Sequence, residues 1–183
     1  VRVVIAEYDE NNRLRIVGLG KAPSTGLRSG VIVNIEATMR AVTAAIEAAE
    51  LMSGYEVHSC FVGIGGTQVD SLNSTGQVSV SNKSKEINQN DINRVIETAS
   101  HLSIPLDRQV LHVVPQMYTV EHGVNMLQKT KDPINVIGTR LYVDVHIVTA
   151  TTTTVQNIFT CASRAGYTVD GVMLKTLATA QAV

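Results

Sequence analysis

The chain has 183 residues, a formal net charge of −1 and only 17% charged residues. A chain of this length can bury a core without disulfides, as one domain or as two small ones. The near-neutral charge provides neither a basic surface nor an acidic tail, so nucleic acid is not expected as a partner.

Cysteine and histidine positions indicate no chemical site. Cys60 and Cys161 lie in apolar runs without the spacing of a zinc or redox motif, which indicates buried, reduced thiols. The five histidines are scattered, and no pair has the i, i+4 spacing of a helical zinc site. With no nucleophile and base at recognisable spacing, the chain itself is predicted not to be an enzyme.

Apolar stretches in the sequence are shorter than the roughly 20 residues that a membrane helix needs. No membrane span or signal peptide is therefore expected. The first residue, Val1, lies inside an apolar alternation, and the last residues are small and apolar. The sequence therefore has the character of an internal segment of a longer protein.

In chain order, the first predicted elements are a β-hairpin, a loop and a long helix. The hairpin strands are the β-branched runs Arg2–Tyr8 and Arg13–Leu19, separated by a polar turn. Asn34 is a candidate N-cap for a helix over residues 35–52, and Gly54 supplies its end.

Alternation with a period of two predicts strands after this helix. One run covers residues 56–64, and a second covers 67–80 with a hairpin of its own. Gly65–Gly66 between them lacks the glycine spacing of a phosphate-binding loop, so a strand bend is favoured.

A second helix and two long strands are predicted next. Asn88 or Asn90 is the candidate N-cap of a helix whose apolar stripe runs from Ile92 to Leu102. The strands cover residues 109–121 and 139–150. The polar loop between these strands is either an ordinary solvated loop or a partner contact.

The C-terminal part has the order strand, helix, strand. A hydroxyl in the run Thr151–Thr154 is a candidate cap for a helix that ends at Gly166, and residues 167–174 form the next strand. This order predicts a parallel βαβ arrangement.

Five segments match one known family in order along the chain. They are residues 22–27 with Gly30 (a Pro-Ser-x-Gly type loop), 45–52 (AIEAAELM), 63–69 (GIGGTQV), 110–118 (VLHVVPQMY) and 132–148 (DPINVIGTRLYVDVHIV). They resemble segments of the FtsA family of actin-like bacterial cell-division proteins. The chain departs from the family pattern at Gly65, Gln68, Met117 and Asn135.

The resemblance implies an α/β fold, an actin-like half of the ribonuclease H-like type, with an inserted α+β subdomain of strand-helix-strand-strand type. Residues 1–54 and 139–183 would form part of subdomain 1A. Residues 55–138 would form the inserted subdomain 1C.

For function, the resemblance implies a cytoskeletal protein that helps to assemble the Z ring and tethers FtsZ to the cytoplasmic face of the membrane at the division site. The family binds ATP and magnesium between two halves. The phosphate loops, the FtsZ-binding surface and the membrane-binding C-terminal helix are expected outside these residues. No cofactor is therefore expected within the segment itself.

Subdomain 1C is an interaction module in the family, implicated in self-association and in contacts with late divisome proteins. The expected contact surfaces are a turn over Asp70–Gly76 and a loop over Asn125–Pro133. The candidate interaction residues are Asp70, Ser71, Asn73, Asn125, Lys129 and Lys131.

Three other interpretations remain open. The first is another ATPase of the actin and Hsp70 superfamily, such as a chaperone or sugar kinase. The second is a pilus-assembly scaffold of the FtsA-like group. The third is an independent small-ligand domain built on the strand-helix-strand-strand unit.

Overall fold

The computed structural model describes residues 1–101, 104–123 and 126–182. Leu102, predicted as part of the second helix, and the candidate contact residue Asn125 lie outside the described residues. In chain order the elements are β1 (Arg2–Tyr8), β2 (Leu14–Lys21), β3 (Leu27–Arg28), β4 (Val31–Ile32), α1 (Ile35–Ser53), β5 (Ser59–Ile64), β6 (Val69–Ser79), α2 (Gln89–Ser100), β7 (Arg108–Glu121), β8 (Leu127–Thr130), β9 (Arg140–Thr151), α3 (Thr152–Arg164), β10 (Thr168–Leu174) and α4 (Lys175–Ala182).

Two compact units divide the chain. The first contains Val1–Gln68 and Thr151–Val183, and the second contains Val69–Ala150. These limits differ from the predicted ones at residues 54/55 and 138/139. The limits differ because strands that are distant in sequence pair with each other. β5 pairs with β10, and β6 pairs along its whole length with β9. The correspondence of these units to subdomains 1A and 1C stays a prediction.

The first unit contains the antiparallel hairpin of β1 and β2 and the parallel pair of β5 and β10. The predicted hairpin is confirmed. The predicted parallel βαβ arrangement of β9, α3 and β10 is wrong, because β9 belongs to a different sheet and the parallel neighbour of β10 is β5. Sequence order alone could not reveal this partner, which lies more than a hundred residues earlier in the chain.

Helix α1 begins and ends at the predicted caps. The Asn34 side chain accepts a hydrogen bond from the Ala37 amide at 2.9 Å, which satisfies a donor that has no partner in the first turn. Gly54 adopts the left-handed conformation with φ of +74°, and its amide donates to Glu50 O at 2.7 Å. The small buried residues Ala45 and Ala49 pack this helix against β2.

Gly54→Ala is expected to lower the free energy of unfolding by about 1 kcal/mol, because an alanine is strained in the left-handed conformation that the cap requires. Space is not the cause, since a Cβ at Gly54 would meet no other described atom within 4 Å. Urea unfolding followed by circular dichroism measures the loss. Gly54→Asn is the matched control with a smaller expected loss, because asparagine tolerates this conformation. Equal losses from both variants would contradict the backbone explanation.

The Gly65–Gly66 pair forms a bend directly after β5, as predicted. Gly66 has φ of +113°, and a Cβ there would overlap Ser29 O. A Cβ on Gly30 would likewise overlap Gly65 O. The glycines therefore allow the backbones of two turns within the first unit to approach each other closely.

A four-stranded sheet with the order β6-β9-β7-β8 forms the second unit. β6 and β9 are antiparallel in unbroken register, and β7 and β8 form an antiparallel hairpin. Helix α2 packs against β6, and its N-cap Asn88 forms a capping box with Asp91. The core of this unit consists of Val80, Ile87, Ile92, Val95, Ala99, Tyr118, Val120, Leu141, Val143, Val145 and Ile147.

Three local predictions are wrong. Asp70–Gly76 is not a turn but lies within β6, and the run over 67–80 forms one long strand without a hairpin of its own. The predicted loop before β9 contains strand β8, which includes Lys129. The Thr151 hydroxyl donates to the Thr154 hydroxyl at 2.7 Å and makes no side-chain cap to the backbone of α3.

Candidate interaction surface

The sheet of the second unit has one covered face and one open face. Along β9 the residues on the covered face, from Leu141 to Ile147, are at most 1% exposed. Their neighbours Tyr142, Asp144 and His146 point to the opposite side, because side chains alternate along a strand. We call this opposite side of β6, β9 and β7 the open face.

Cross-strand pairing sets the arrangement on the open face. Asn73 of β6 lies opposite His146 of β9, and Thr75 lies opposite Asp144. His146 Nδ1 lies 2.7 Å from Asn73 Oδ1, so the imidazole donates through Nδ1 to this oxygen. The other ring nitrogen of a neutral His146 is then an acceptor.

Strand β7 adds Gln116 to this face through a local irregularity. Val113 and Tyr118 both pack against the core, although residues five apart on a regular strand lie on opposite faces. Pro115 and Gln116 between them are both exposed. The alternation of β7 is therefore interrupted between these residues, near a proline without a backbone donor, and Gln116 lines the depression together with Asp144.

An open depression of about 670 Å³ lies at the centre of this face. Six of its seven lining residues are polar or charged, and one of them is a carboxylate. The lining residues are Asn73, Ser74, Thr75, Gln116, Asp144, Val145 and His146.

A cluster of three charged or polar side chains lies towards one end of β9. The Tyr142 hydroxyl donates to Glu121 Oε2 at 2.9 Å, and Arg140 Nη1 lies 3.9 Å from the same oxygen. The hydrogen bond with Tyr142 and the charge of Glu121 raise the pKa of the Arg140 guanidinium, which therefore stays charged. The carboxylate of Glu121 is thus already shared by two partners.

Of the candidate interaction residues predicted from the sequence, Asn73 lies in the depression. Ser71 lies two residues earlier on the same side of β6. Asp70 is engaged locally, because its Oδ1 accepts the Ser71 amide at 2.8 Å. Lys129 lies on β8 opposite Thr119, and Lys131 follows that strand. Whether these residues contact a partner stays a prediction.

Six lining residues of the depression were not among the predicted candidates: Ser74, Thr75, Gln116, Asp144, Val145 and His146. The alternation along β9 indicated that Asp144 and His146 share a face. Their partners depended on the register with β6, which no local pattern revealed, and on the interrupted alternation of β7 near Pro115.

The described residues support neither a metal site nor a reactive thiol. Across residues 1–101, 104–123 and 126–182, no group of three or more histidine, cysteine, aspartate or glutamate side chains could hold a metal ion. Both cysteines are free, and burial raises the pKa of each thiol, with a further contribution from Asp170 at Cys60. The thiols are therefore protonated and poorly nucleophilic near neutral pH.

Among the described helices, none is both long and apolar enough to cross a membrane.

Together, the fold and this surface define a class of protein: an α/β unit interrupted by an α+β sheet unit that presents a polar open face. Residues 66–149 match the family model of the SHS2 domain inserted in FtsA. These limits agree closely with the second compact unit, Val69–Ala150.

Relatives match the whole chain. The chain is 44% identical over 98% of its length to a protein named cell division protein FtsA from Borreliella burgdorferi. It is 41% and 39% identical over its full length to proteins of the same name from Neisseria meningitidis and Pseudomonas aeruginosa. The chain spans 42–43% of the length of these relatives. The chain belongs to the FtsA family.

A solved structure shares the fold. The chain matches a chain of the "PilM-PilN type IV pilus biogenesis complex" with a TM-score of 0.59 and 12% identity, over 97% of this chain and 45% of the other. The predicted fold class, an actin-like α/β unit with an inserted α+β subdomain, is confirmed.

Proposed function

We propose that this chain is the scaffold and interaction segment of a cell-division protein. The observation that carries the proposal is the uninterrupted likeness to proteins named cell division protein FtsA, at 39–44% identity over nearly the whole chain. The SHS2 match lies within that likeness and agrees with it. The likeness to the pilus complex concerns the fold alone and favours no pilus function.

The whole protein, in this proposal, helps to assemble the Z ring and tethers FtsZ to the cytoplasmic face of the membrane at the division site. The FtsZ-binding surface and the C-terminal membrane helix belong to parts of the protein outside residues 1–183. The relatives are more than twice as long as this chain, which leaves room for these parts.

The second unit, Val69–Ala150, is proposed as the module for self-association and for contacts with late divisome proteins. Its open polar sheet face supports this role, because exposed polar residues on a rigid sheet can be held ready for a partner without the cost of ordering them.

We further propose that the segment itself has no enzymatic activity, and that ATP and magnesium are held by phosphate loops elsewhere in the whole protein. Titration calorimetry with ATP is expected to give no heat with the 183-residue chain and saturable heat with the whole protein. Saturable binding by the chain alone would contradict this assignment, and the Gly65–Gly66 bend would become the first candidate for the site.

A fluorescent fusion of the whole protein tests the cell-division role. The fusion is expected to form a band at the division site in dividing cells. A matched fusion without Val69–Ala150 should lose the later division proteins, because it lacks the proposed contact module. A uniform distribution of the intact fusion throughout the cell cycle would overturn the proposal.

A further inference from the structure

We propose that the depression on the open face binds an arginine side chain of a protein partner, with Asp144 as its counter-charge. This inference rests on the proposed interaction role of the second unit and specifies its chemistry. The proposed occupant is a peptide segment that presents arginine. The charge and the hydrogen-bonding groups of the depression support this choice.

Hydrogen bonds already formed on the open face leave several acceptors exposed, beside the remaining N–H groups of the Asn73 and Gln116 side-chain amides. Gln116 Nε2 donates to Val114 O at 3.1 Å, which leaves its Oε1 available. His146 donates through Nδ1 to Asn73, which leaves Nε2 as an acceptor in the neutral ring. With the two oxygens of Asp144 and the Thr75 hydroxyl, the depression offers several acceptors around one negative charge.

Asp144 supplies the carboxylate of the depression. Among the described residues, this carboxylate has no ion-pair partner. The ion pairs of the second unit, among described residues, join Arg94 to Asp91 and Arg140 to Glu121. Both arginines therefore already face carboxylates. An exposed carboxylate with further acceptors beside it is complementary to a cation with several donors.

Arginine fits this arrangement better than lysine. Its guanidinium presents five N–H donors in a planar fork, whereas an ammonium is a compact, strongly hydrated charge. The acceptors here come from three neighbouring strands, so they are spread across the depression and do not converge on one point. A planar fork can contact Asp144 and Gln116 or Thr75 together.

A peptide titration followed by NMR tests the proposal. The probe is acetyl-Gly-Arg-Gly-amide, added to the 15N-labelled 183-residue chain. We expect saturable shifts confined to the amides of Asn73, Thr75, Gln116, Asp144 and His146. The same peptide with citrulline in place of arginine has nearly the same shape without the charge, and it should produce no such shifts.

Substitutions give the matched controls. Asp144→Asn keeps the shape of the side chain and is expected to weaken binding up to about fivefold, the upper end for a solvent-exposed charge pair. Asp170→Asn removes an exposed strand carboxylate from the first unit and should leave the affinity unchanged. Dispersed amide spectra of both variants verify that they fold.

Several outcomes would overturn the proposal. These are the absence of localised shifts at the highest soluble peptide concentration, equal affinity for acetyl-Gly-Lys-Gly-amide, and equal affinity in Asp144→Asn. A failed titration combined with correct localisation of the whole protein would overturn the arginine site alone. A positive titration with a uniformly distributed fusion would overturn the cell-division role alone.

Discussion

Gly20→Ala is expected to lower the free energy of unfolding of the first unit by about 3 kcal/mol, at the upper end of the usual cost of overpacking. A Cβ at Gly20 would overlap Ala45 O and lie 3.0 Å from Ala49 N. Both atoms belong to the backbone of α1, so no side-chain rotation can relieve the overlap. The helix would have to move away from β2 and expose buried alanines.

Denaturant unfolding with circular dichroism measures this loss, with the slope m as a check that the unfolding transition is otherwise unchanged. Gly171→Ala is the matched control in the same unit. A Cβ there would meet Phe61 ring atoms at 3.1 Å, but Phe61 is 67% exposed and its ring can move aside. A Gly20→Ala variant as stable as Gly171→Ala would show that α1 does not pack on β2 as described.

Helix caps and core periodicity were predictable because they depend on residues close in sequence. Asn34 and Gly54 mark the ends of α1, and each acts within one turn of the helix. The buried alternation along β9 was visible for the same reason. These features locate each helix or strand and its buried side, but they do not identify which strands pair with each other.

The prediction of a turn within β6 was wrong because the residue composition of this segment is typical of turns. The segment Asp70–Gly76 is rich in aspartate, asparagine, serine and glycine, which favour turns. Pairing with β9 over eleven residues overrides that preference. Glycine is needed at position 76, because a Cβ there would lie 2.5 Å from Val95 O and 2.7 Å from Ala99 N in the covering helix α2.

The depression could not be predicted because it is assembled from three strands that are distant in sequence. Asn73 and His146 meet only through the register of β6 and β9. Gln116 joins them because the alternation of β7 is interrupted near Pro115, and proline in a strand is a signal of such an irregularity. The proline was visible in the sequence, but the strands beside it were not.

Ile147→Ala is expected to lower the free energy of unfolding of the second unit by about 3 kcal/mol, within the range for deleting buried isoleucine atoms. Ile147 is fully buried among the residues of the covered face. Alanine leaves a cavity where β9 meets the core, because the surrounding strands are paired and cannot collapse into the space. Hydrogen exchange at the amides of Val120 and Val143 measures the loss.

His146→Ala, one residue earlier on the other side of the same strand, is the matched control. It removes a half-buried ring and one hydrogen bond to Asn73, so the expected loss is about 1 kcal/mol or less. A large contrast between neighbouring positions would mean that the covered face supplies the stability of the unit. The open face would then be free to carry residues chosen for contact with a partner. Equal losses would mean that the polar residues of the open face hold the sheet together, and an arginine-binding role for Asp144 would have to compete with that structural one.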